Sequence, residues 1–159
     1  MGLDYHWVKD QAKQKKQKDL FLKCIEMSNE YKLPIVIHSR KAESDCLDIL
    51  EKYSTTKVLL HSFEGNKELV IRSNDLGYLI SIPTNVVIRK SRRKVAKRAG
   101  LENIVIETDS PYCAPSEDLF PNTPASIPIA GQKLANILDC ELSELMKTTT
   151  DNAERFYEI

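Results

Sequence analysis

The sequence predicts an α/β fold in which parallel strands alternate with helices. Short apolar runs such as 35–37 and 104–106 are typical of strands that are buried on both faces. Longer segments between these runs carry apolar residues at helical spacing. Strands that alternate strictly with helices are joined by crossover connections, and they therefore lie parallel to one another.

Each element follows from this pattern in turn. A strand stub is expected at 2–4, and a helix within the polar stretch 9–31, where Leu20, Cys24, Met27 and Tyr31 share one face. Further strands are predicted at 35–37, 58–60, 77–82 and 104–106. Helices are predicted at about 43–53, 67–74 and 89–99, and two or three more follow a proline-rich loop at 111–128.

Bulk composition excludes several classes of protein. At 159 residues the chain is expected to form a single domain spanning residues 1–159. Its 23 basic and 23 acidic residues cancel, so no overall field draws it to nucleic acid or to a membrane. Four widely spaced cysteines without a CxxC pair argue against a zinc ribbon or a disulfide framework. No signal peptide or membrane-spanning run is apparent, and a cytoplasmic location is the default expectation.

Metal-capable side chains follow three of the predicted strands. His38, His61 and Asp109 each come directly after, or close to, the end of an apolar run. Parallel α/β folds place their chemistry at the carboxyl ends of strands, so these side chains are expected to converge. Two imidazoles and a carboxylate form a plausible set of ligands for a divalent metal ion.

Every one of these residues also has an ordinary interpretation. A single histidine is more often a satisfied core or surface residue than a ligand, and Asp109 could simply cap a helix. Glu107 shares a strand face with Asp109, which suits a role in orienting a ligand or a water. Arg40 suits either an ion pair or a phosphate clamp. The basic run 89–98 is interpreted as the solvated face of a helix, with specific binding of nucleic acid as the less favoured alternative.

Taken together, six segments resemble the TatD family of metal-dependent deoxyribonucleases over essentially the whole chain. Each segment alone is a weak signal for the family, but all six in the family's order form a specific one. They are Gly2-Leu-Asp4, Ile37-His-Ser-Arg40, Leu60-His-Ser-Phe-Glu-Gly65, Ile106-Glu-Thr-Asp-Ser-Pro111, Asn122-Thr-Pro124 and Asn152-Ala-Glu-Arg-Phe156.

The resemblance implies a (β/α)8 TIM barrel of the amidohydrolase type with one or two divalent metal ions at its mouth. It implies that His38 and His61 are metal ligands, and that Asp109 is both a ligand and the group that handles the proton of the attacking water. Arg40 would bind the substrate phosphate, whereas Glu107 and Asp4 would support the ligands. Magnesium or zinc is expected from the resemblance, and manganese also suits histidine and carboxylate ligands.

Two parts of the family pattern are missing. The His-x-His pair that holds the first metal in the family does not occur in this sequence, and the family's bridging glutamate would precede Met1. Only four clear strands and a stub are predicted, whereas a closed barrel needs eight. The chain therefore resembles the C-terminal half of a TatD barrel that lacks the first strands, and the resemblance does not imply activity for this chain by itself.

Three explanations for the short chain stay open. It is either a fragment or a gene product whose start is placed too late, or one half of a split protein that works with a complementary N-terminal half, or a decayed remnant. Alone in solution, a half-barrel is expected to dimerise, aggregate or pair, because its edge strands are open.

Function also leaves alternatives at this stage. The expected substrate is DNA or another phosphodiester, although an amidase, a lactonase or an esterase acting on aminoacyl-tRNA-like esters would use similar ligands. A different class is a catalytically inactive binding module built on an open doubly wound sheet, but no glycine-rich phosphate loop supports nucleotide binding.

Overall fold

A computed structural model describes all 159 residues and contains one five-stranded parallel sheet. The strands are neighbours in chain order, from β1 at one edge to β5 at the other. They are β1 (Gly2–Asp4), β2 (Ile35–Arg40), β3 (Val58–His61), β4 (Leu79–Pro83) and β5 (Ile104–Glu107). The helices are α1 (Gln11–Tyr31), α2 (Glu43–Tyr53), α3 (Lys67–Asp75), α4 (Lys90–Ala99), α5 (Ile127–Leu138) and α6 (Leu142–Tyr157). The predicted α/β fold class with parallel strands is confirmed.

One face of the sheet carries the main core. Alternation along each strand points Ile37, Leu60, Ile82 and Ile104 to this face, where helices cover them. They belong to a cluster of 25 buried residues that includes apolar side chains from all five strands. Burial of this cluster is the main source of stability, because apolar area removed from water contributes roughly 25 cal/mol per Å².

The opposite face of the sheet is divided into two layers. Its amino-terminal layer is apolar: Leu59 and Val105 form a small cluster with Phe156 of α6. Two residues further along the same strands, the same face presents His61 and Glu107. This face therefore changes from apolar to polar towards the carboxyl ends of the strands.

The first helix differs from its prediction. Its existence is confirmed, and its N-cap Asp10 accepts a hydrogen bond from the backbone N–H of Lys13. However, the stripe at positions 20, 24, 27 and 31 does not pack on the sheet, and three of its four residues are more than half exposed. The buried side lies one residue further on, at Phe21, Ile25 and Ser28.

Strand β1 approaches its neighbour unusually closely. A Cβ on Gly2, whose φ is +143°, would lie 1.9 Å from the carbonyl oxygen of His38. The backbone N–H of His38 donates to the carbonyl of Met1, at 2.7 Å. Only glycine fits at this position, and β1 is thereby held in register beside the candidate ligand. None of the helices in the chain is long and apolar enough to cross a lipid bilayer.

Candidate functional site

Three candidate ligands lie at the carboxyl end of the sheet. His38 and His61 are direct register partners on β2 and β3, and their rings are 5.4 Å apart between centroids. Asp109 follows β5, and its Oδ1 lies 3.6 Å from Nε2 of His61. Parallel strand pairing thus brings together residues that are up to 71 positions apart in sequence.

Glu107 stands behind His61. Its Oε2 is 2.6 Å from Nδ1 of the imidazole, which leaves Nε2 directed towards Asp109. The hydrogen bond to Glu107 raises the pKa of His61 more than burial lowers it. A carboxylate in this position fixes the orientation of an imidazole and makes its other nitrogen a better donor to a metal ion.

His38 is in a different electrostatic environment. Burial lowers its pKa, and the nearby His61 and Arg40 lower it further. A depressed pKa keeps the ring neutral at physiological pH, which is the form that binds metals. The two histidines therefore have opposite shifts although they are adjacent in the sheet.

The donor atoms suit a divalent metal, although they do not form a closed cage. No set of three histidine, cysteine or carboxylate side chains converges on one point. Two ligands held about 2.1 Å from one ion lie roughly 3–3.5 Å apart, so the His61–Asp109 pair needs only a small adjustment to share one. Glu107 also has a buried Oε1 without any hydrogen-bond partner. The proposed set of metal ligands, His38, His61 and Asp109, therefore remains a prediction.

Backbone strain is concentrated at the same place. Lys41, Ser62 and Asp109 each follow a strand and have φ values of 56°, 49° and 55°. A non-glycine residue in this left-handed region costs about 1–3 kcal/mol and persists only where its surroundings enforce it. Such residues cluster at functional sites, and here they occur after three of the five strands.

A cleft of about 250 Å³ opens at this end of the sheet. Besides His38 and Asp109 it is lined by charged side chains of both signs: Arg40, Lys41, Glu43, Glu64 and Arg92. Arg40 is exposed on its rim, as a residue that meets substrate would be. Asp4 instead accepts hydrogen bonds from the backbone N–H groups of His6 and Trp7, and it makes none to either histidine of the site.

Sequence reasoning assigned no role to Asn122, which is 3% exposed. Its Nδ2 lies 2.8–2.9 Å from Oγ1 of Thr84 and from the carbonyls of Thr108 and Tyr112. The Thr84 hydroxyl in turn donates to the carbonyl of Cys113. Asn122 thereby ties the loop that carries Asp109 to the turn after β4. The signal in the sequence that could have identified Asn122 was its position in the Asn-Thr-Pro segment.

Cys113 is a second residue that the sequence did not single out. Its Sγ lies 3.4 Å from Oδ2 of Asp109. Burial raises the pKa of this thiol to about 11, and the hydrogen bond to Asp109 contributes to the rise. The group is therefore a protonated donor to Asp109 at neutral pH, not a nucleophilic thiolate.

Another cavity, of about 270 Å³, lies at the amino end of the sheet between β4 and α6. Its polar side chains Lys57, Asn152 and Arg155 all have protein partners. Because parallel sheets carry their chemistry at the carboxyl ends of strands, the cleft at His38 and Asp109 is the candidate site.

Comparison with known proteins identifies the family. A family model described as "TatD related DNase" matches residues 1–158. This chain belongs to the TatD family. The predicted resemblance is therefore confirmed, and the family members it matches include proteins named as metal-dependent hydrolases.

Individual TatD relatives are distant but align along the whole chain. Human "Deoxyribonuclease TATDN3" is 28% identical over 159 residues, which cover 99% of this chain and 58% of that protein. The uncharacterized metal-dependent hydrolase YcfH of Escherichia coli K12 is 32% identical over 163 residues, covering 99% and 61%. The chain thus spans about three-fifths of the length of these relatives.

Solved TatD structures share the fold. The TatD homologue YjjV from Escherichia coli K12 superposes with a TM-score of 0.88 at 21% identity, covering 100% of this chain and 62% of that one. A TatD-family hydrolase from Entamoeba histolytica gives 0.84 at 22% identity, covering 99% and 61%. Identities this low establish the fold and carry no statement about the reaction.

Proposed function

We propose that this chain forms the C-terminal part of a TatD-type (β/α)8 barrel and contributes its ligands to a phosphodiesterase site that acts on DNA. The observation that carries the proposal is the pair His61–Asp109, with Nε2 and Oδ1 3.6 Å apart and Glu107 behind the imidazole. Family membership supports metal-dependent hydrolysis, and the human and mouse relatives are named as deoxyribonucleases.

The residues divide the chemistry between them. A bound divalent ion, held by His38, His61 and Asp109, would supply Lewis acidity and lower the pKa of a water molecule. Asp109, whose carboxylate lines the cleft, would accept the proton of the attacking water. Glu107 holds His61 in one tautomer. Arg40, on the rim, binds phosphoryl oxygens and offsets the charge that builds on them.

The proposed metal is magnesium or zinc, with manganese as a further candidate. Imidazole nitrogen favours zinc, whereas carboxylate oxygen suits magnesium and manganese. Titration of the metal-free protein with each ion in turn ranks these candidates, because binding is read out calorimetrically without any assay of catalysis.

The remainder of the barrel is proposed to come from a complementary N-terminal segment, in the same polypeptide or in another. No further strand pairs with the outer edges of β1 and β5. Val36 is 36% exposed on the face that carries His38, and the apolar stripe of Leu20, Met27 and Tyr31 on α1 is uncovered. These surfaces fit the neighbours that a closed barrel provides. Sedimentation of the isolated chain tests this: a chain that stays monomeric at every concentration contradicts it.

Replacement of Asp109 by Asn tests the proposed reaction. In protein that cleaves a DNA oligonucleotide in the presence of a divalent ion, Asp109→Asn should lower the rate by about 10³-fold, because the proton acceptor is lost. Asp118→Asn is the matched control, since Asp118 is exposed and its side chain makes no hydrogen bond or ion pair. Retention of metal-dependent cleavage by Asp109→Asn would falsify the role of Asp109.

A further inference from the structure

Arg92 is the one residue of the basic run that turns inwards. It lies in the first turn of α4 and is 8% exposed, whereas the other six basic residues of the run are exposed or half-buried. Its side chain lines the same cleft as His38 and Asp109. Arginine is almost never buried to this extent unless its donors are used, so the partners of the guanidinium indicate its role.

The donors of Arg92 are unevenly used. Nη1 donates to the carbonyls of Ser62 and Phe63, in the segment that follows His61. Nη2 lies 3.2 Å from Oε1 of Glu64. Nε is buried and has no partner at all. A buried donor without an acceptor lowers stability, which implies that another acceptor belongs there.

The unused donor belongs to one edge of the planar guanidinium. Nε–H and one N–H of Nη2 point the same way, and this fork matches two oxygens of a phosphate or a carboxylate. Glu64 fills only the Nη2 half of the fork. Its side chain is 54% exposed, so its ion pair is of the weak type that another anion can displace.

We propose that the Nε–Nη2 edge of Arg92 is a binding site for two oxygens of a substrate phosphate, and that Glu64 closes this edge while the site is empty. The inference rests on the proposed function, since it is a phosphodiesterase that brings a phosphate into this cleft. Arg40 and Lys41 line the same cleft and add positive charge. Glu64 then acts as an internal competitor that an incoming phosphate displaces.

Phosphate bound at this edge would lie next to the candidate metal ligands. Arg92 holds the carbonyl of Ser62, the residue directly after His61, and Ser62 has a left-handed backbone. The N–H of Ser62 in turn donates to Oγ of Ser81 on the adjacent strand. A phosphate that binds Arg92 is therefore held by a group fixed to the same segment as His61.

Calorimetric titration with inorganic phosphate tests the site directly. The full chain is used in excess EDTA and at constant ionic strength, so that neither metal nor general screening contributes. Arg92→Gln should weaken phosphate binding by about tenfold or more, and Arg92→Lys should fail to restore it, because an ammonium group cannot form the fork. Glu64→Gln should strengthen binding about three- to tenfold, because the competitor loses its charge.

Two matched variants separate the site from general electrostatics. Glu43→Gln removes the same charge from the lining of the same cleft, although Glu43 makes no hydrogen bond or ion pair with Arg92. Arg93→Gln removes a positive charge from the same helix, where Arg93 donates to the carbonyl of Val87. Equal gains from Glu43→Gln and Glu64→Gln would overturn the proposal, as would equal losses from Arg92→Gln and Arg93→Gln.

The test stays decisive if the Arg92 variants do not fold, and it requires no measurement of DNA cleavage. If Arg92→Gln fails to fold, the comparison of Glu64→Gln with Glu43→Gln decides alone. Absence of phosphate binding by the wild-type chain overturns the site. Phosphate binding that follows Arg92 and Glu64, in a completed barrel that does not cleave DNA, supports the site and contradicts the proposed function.

Discussion

The two ends of the β-sheet hold cavities of similar size, about 250 Å³ at the carboxyl end and about 270 Å³ at the amino end. At the amino end Asn152 donates to the carbonyls of Leu101 and Ile104, and Arg155 donates to Asn152. These side chains have hydrogen-bond partners within the protein and fasten α6 beneath the sheet. This cavity is a by-product of packing.

At the carboxyl end of the sheet, by contrast, buried polar atoms are left without a hydrogen-bond partner. Of four buried side-chain atoms without a partner in the protein, two line or border the candidate site: Nε of Arg92 and Oε1 of Glu107. Three strand ends there also hold left-handed backbone. Unpaired buried groups and strain both lower stability, so they are kept where a ligand compensates them. Unmet polar groups, and not volume, distinguish the end that carries the candidate site.

Truncation of Phe156 should produce the largest change in stability. Phe156 is 3% exposed and packs on Leu59 and Val105 at the amino end. Phe156→Ala should lower the free energy of unfolding by about 3–5 kcal/mol, measured by denaturant titration. The control is the same substitution at the carboxyl end, Phe120→Ala, where the ring is 62% exposed and the expected loss is below about 1 kcal/mol. Equal losses of stability would mean that Phe156 of α6 does not pack on Leu59 and Val105 as described.

Glu107→Gln should leave stability nearly unchanged and weaken metal binding. The amide still accepts a hydrogen bond from Nδ1 of His61, but without its negative charge it makes Nε2 a poorer donor to a metal ion. Divalent-ion affinity, measured calorimetrically, should fall about 10- to 100-fold. Glu102→Gln, in the amino-end cavity, is the matched loss of charge and should not alter affinity. An equal decrease in the affinity of both variants would mean that the change in net charge, and not the contact with His61, causes the effect.

The features of the candidate site differ in how far the sequence alone predicts them. The placement of His38, His61 and Asp109 at one end of the sheet follows from local pattern together with parallel topology, which sets the carboxyl ends of the strands side by side. The contact of Glu107 with His61 was within reach of strand alternation, which put Glu107 on the face of Asp109. The contacts of Arg92 and Asn122 depend on which helix and loop pack against the site. The Asn-Thr-Pro segment was a signal for Asn122 itself, but no local pattern encodes these contacts.

The face of α1 shows the limit of periodicity itself. Two apolar stripes, one through Leu20 and one through Phe21, run along the same helix one residue apart. Spacing alone cannot choose between them, and the one through Phe21 packs on the sheet. The other stays open in this chain. In the proposed complete barrel, a neighbouring helix would pack on this open stripe.

The smallest effect, and the sharpest test of the two histidine environments, concerns pH in the absence of metal. The pKa of His61 is raised, chiefly by Glu107, so its contribution to stability is complete below its unfolded pKa of about 6.5 and is lost as pH rises through the folded pKa. Burial lowers the pKa of His38, so its contribution is complete above about pH 6.5 and is lost as pH falls through the folded pKa.

Unfolding free energies between about pH 5 and 8, with EDTA present, should therefore give opposite trends for two variants. The stability lost in His61→Gln should shrink as pH rises, because the pair with Glu107 weakens when the imidazole loses its proton. The stability lost in His38→Gln should grow as pH rises, because a buried neutral ring is then no longer penalised. Parallel trends would mean that the two adjacent rings share one environment, and that Glu107 does not single out His61.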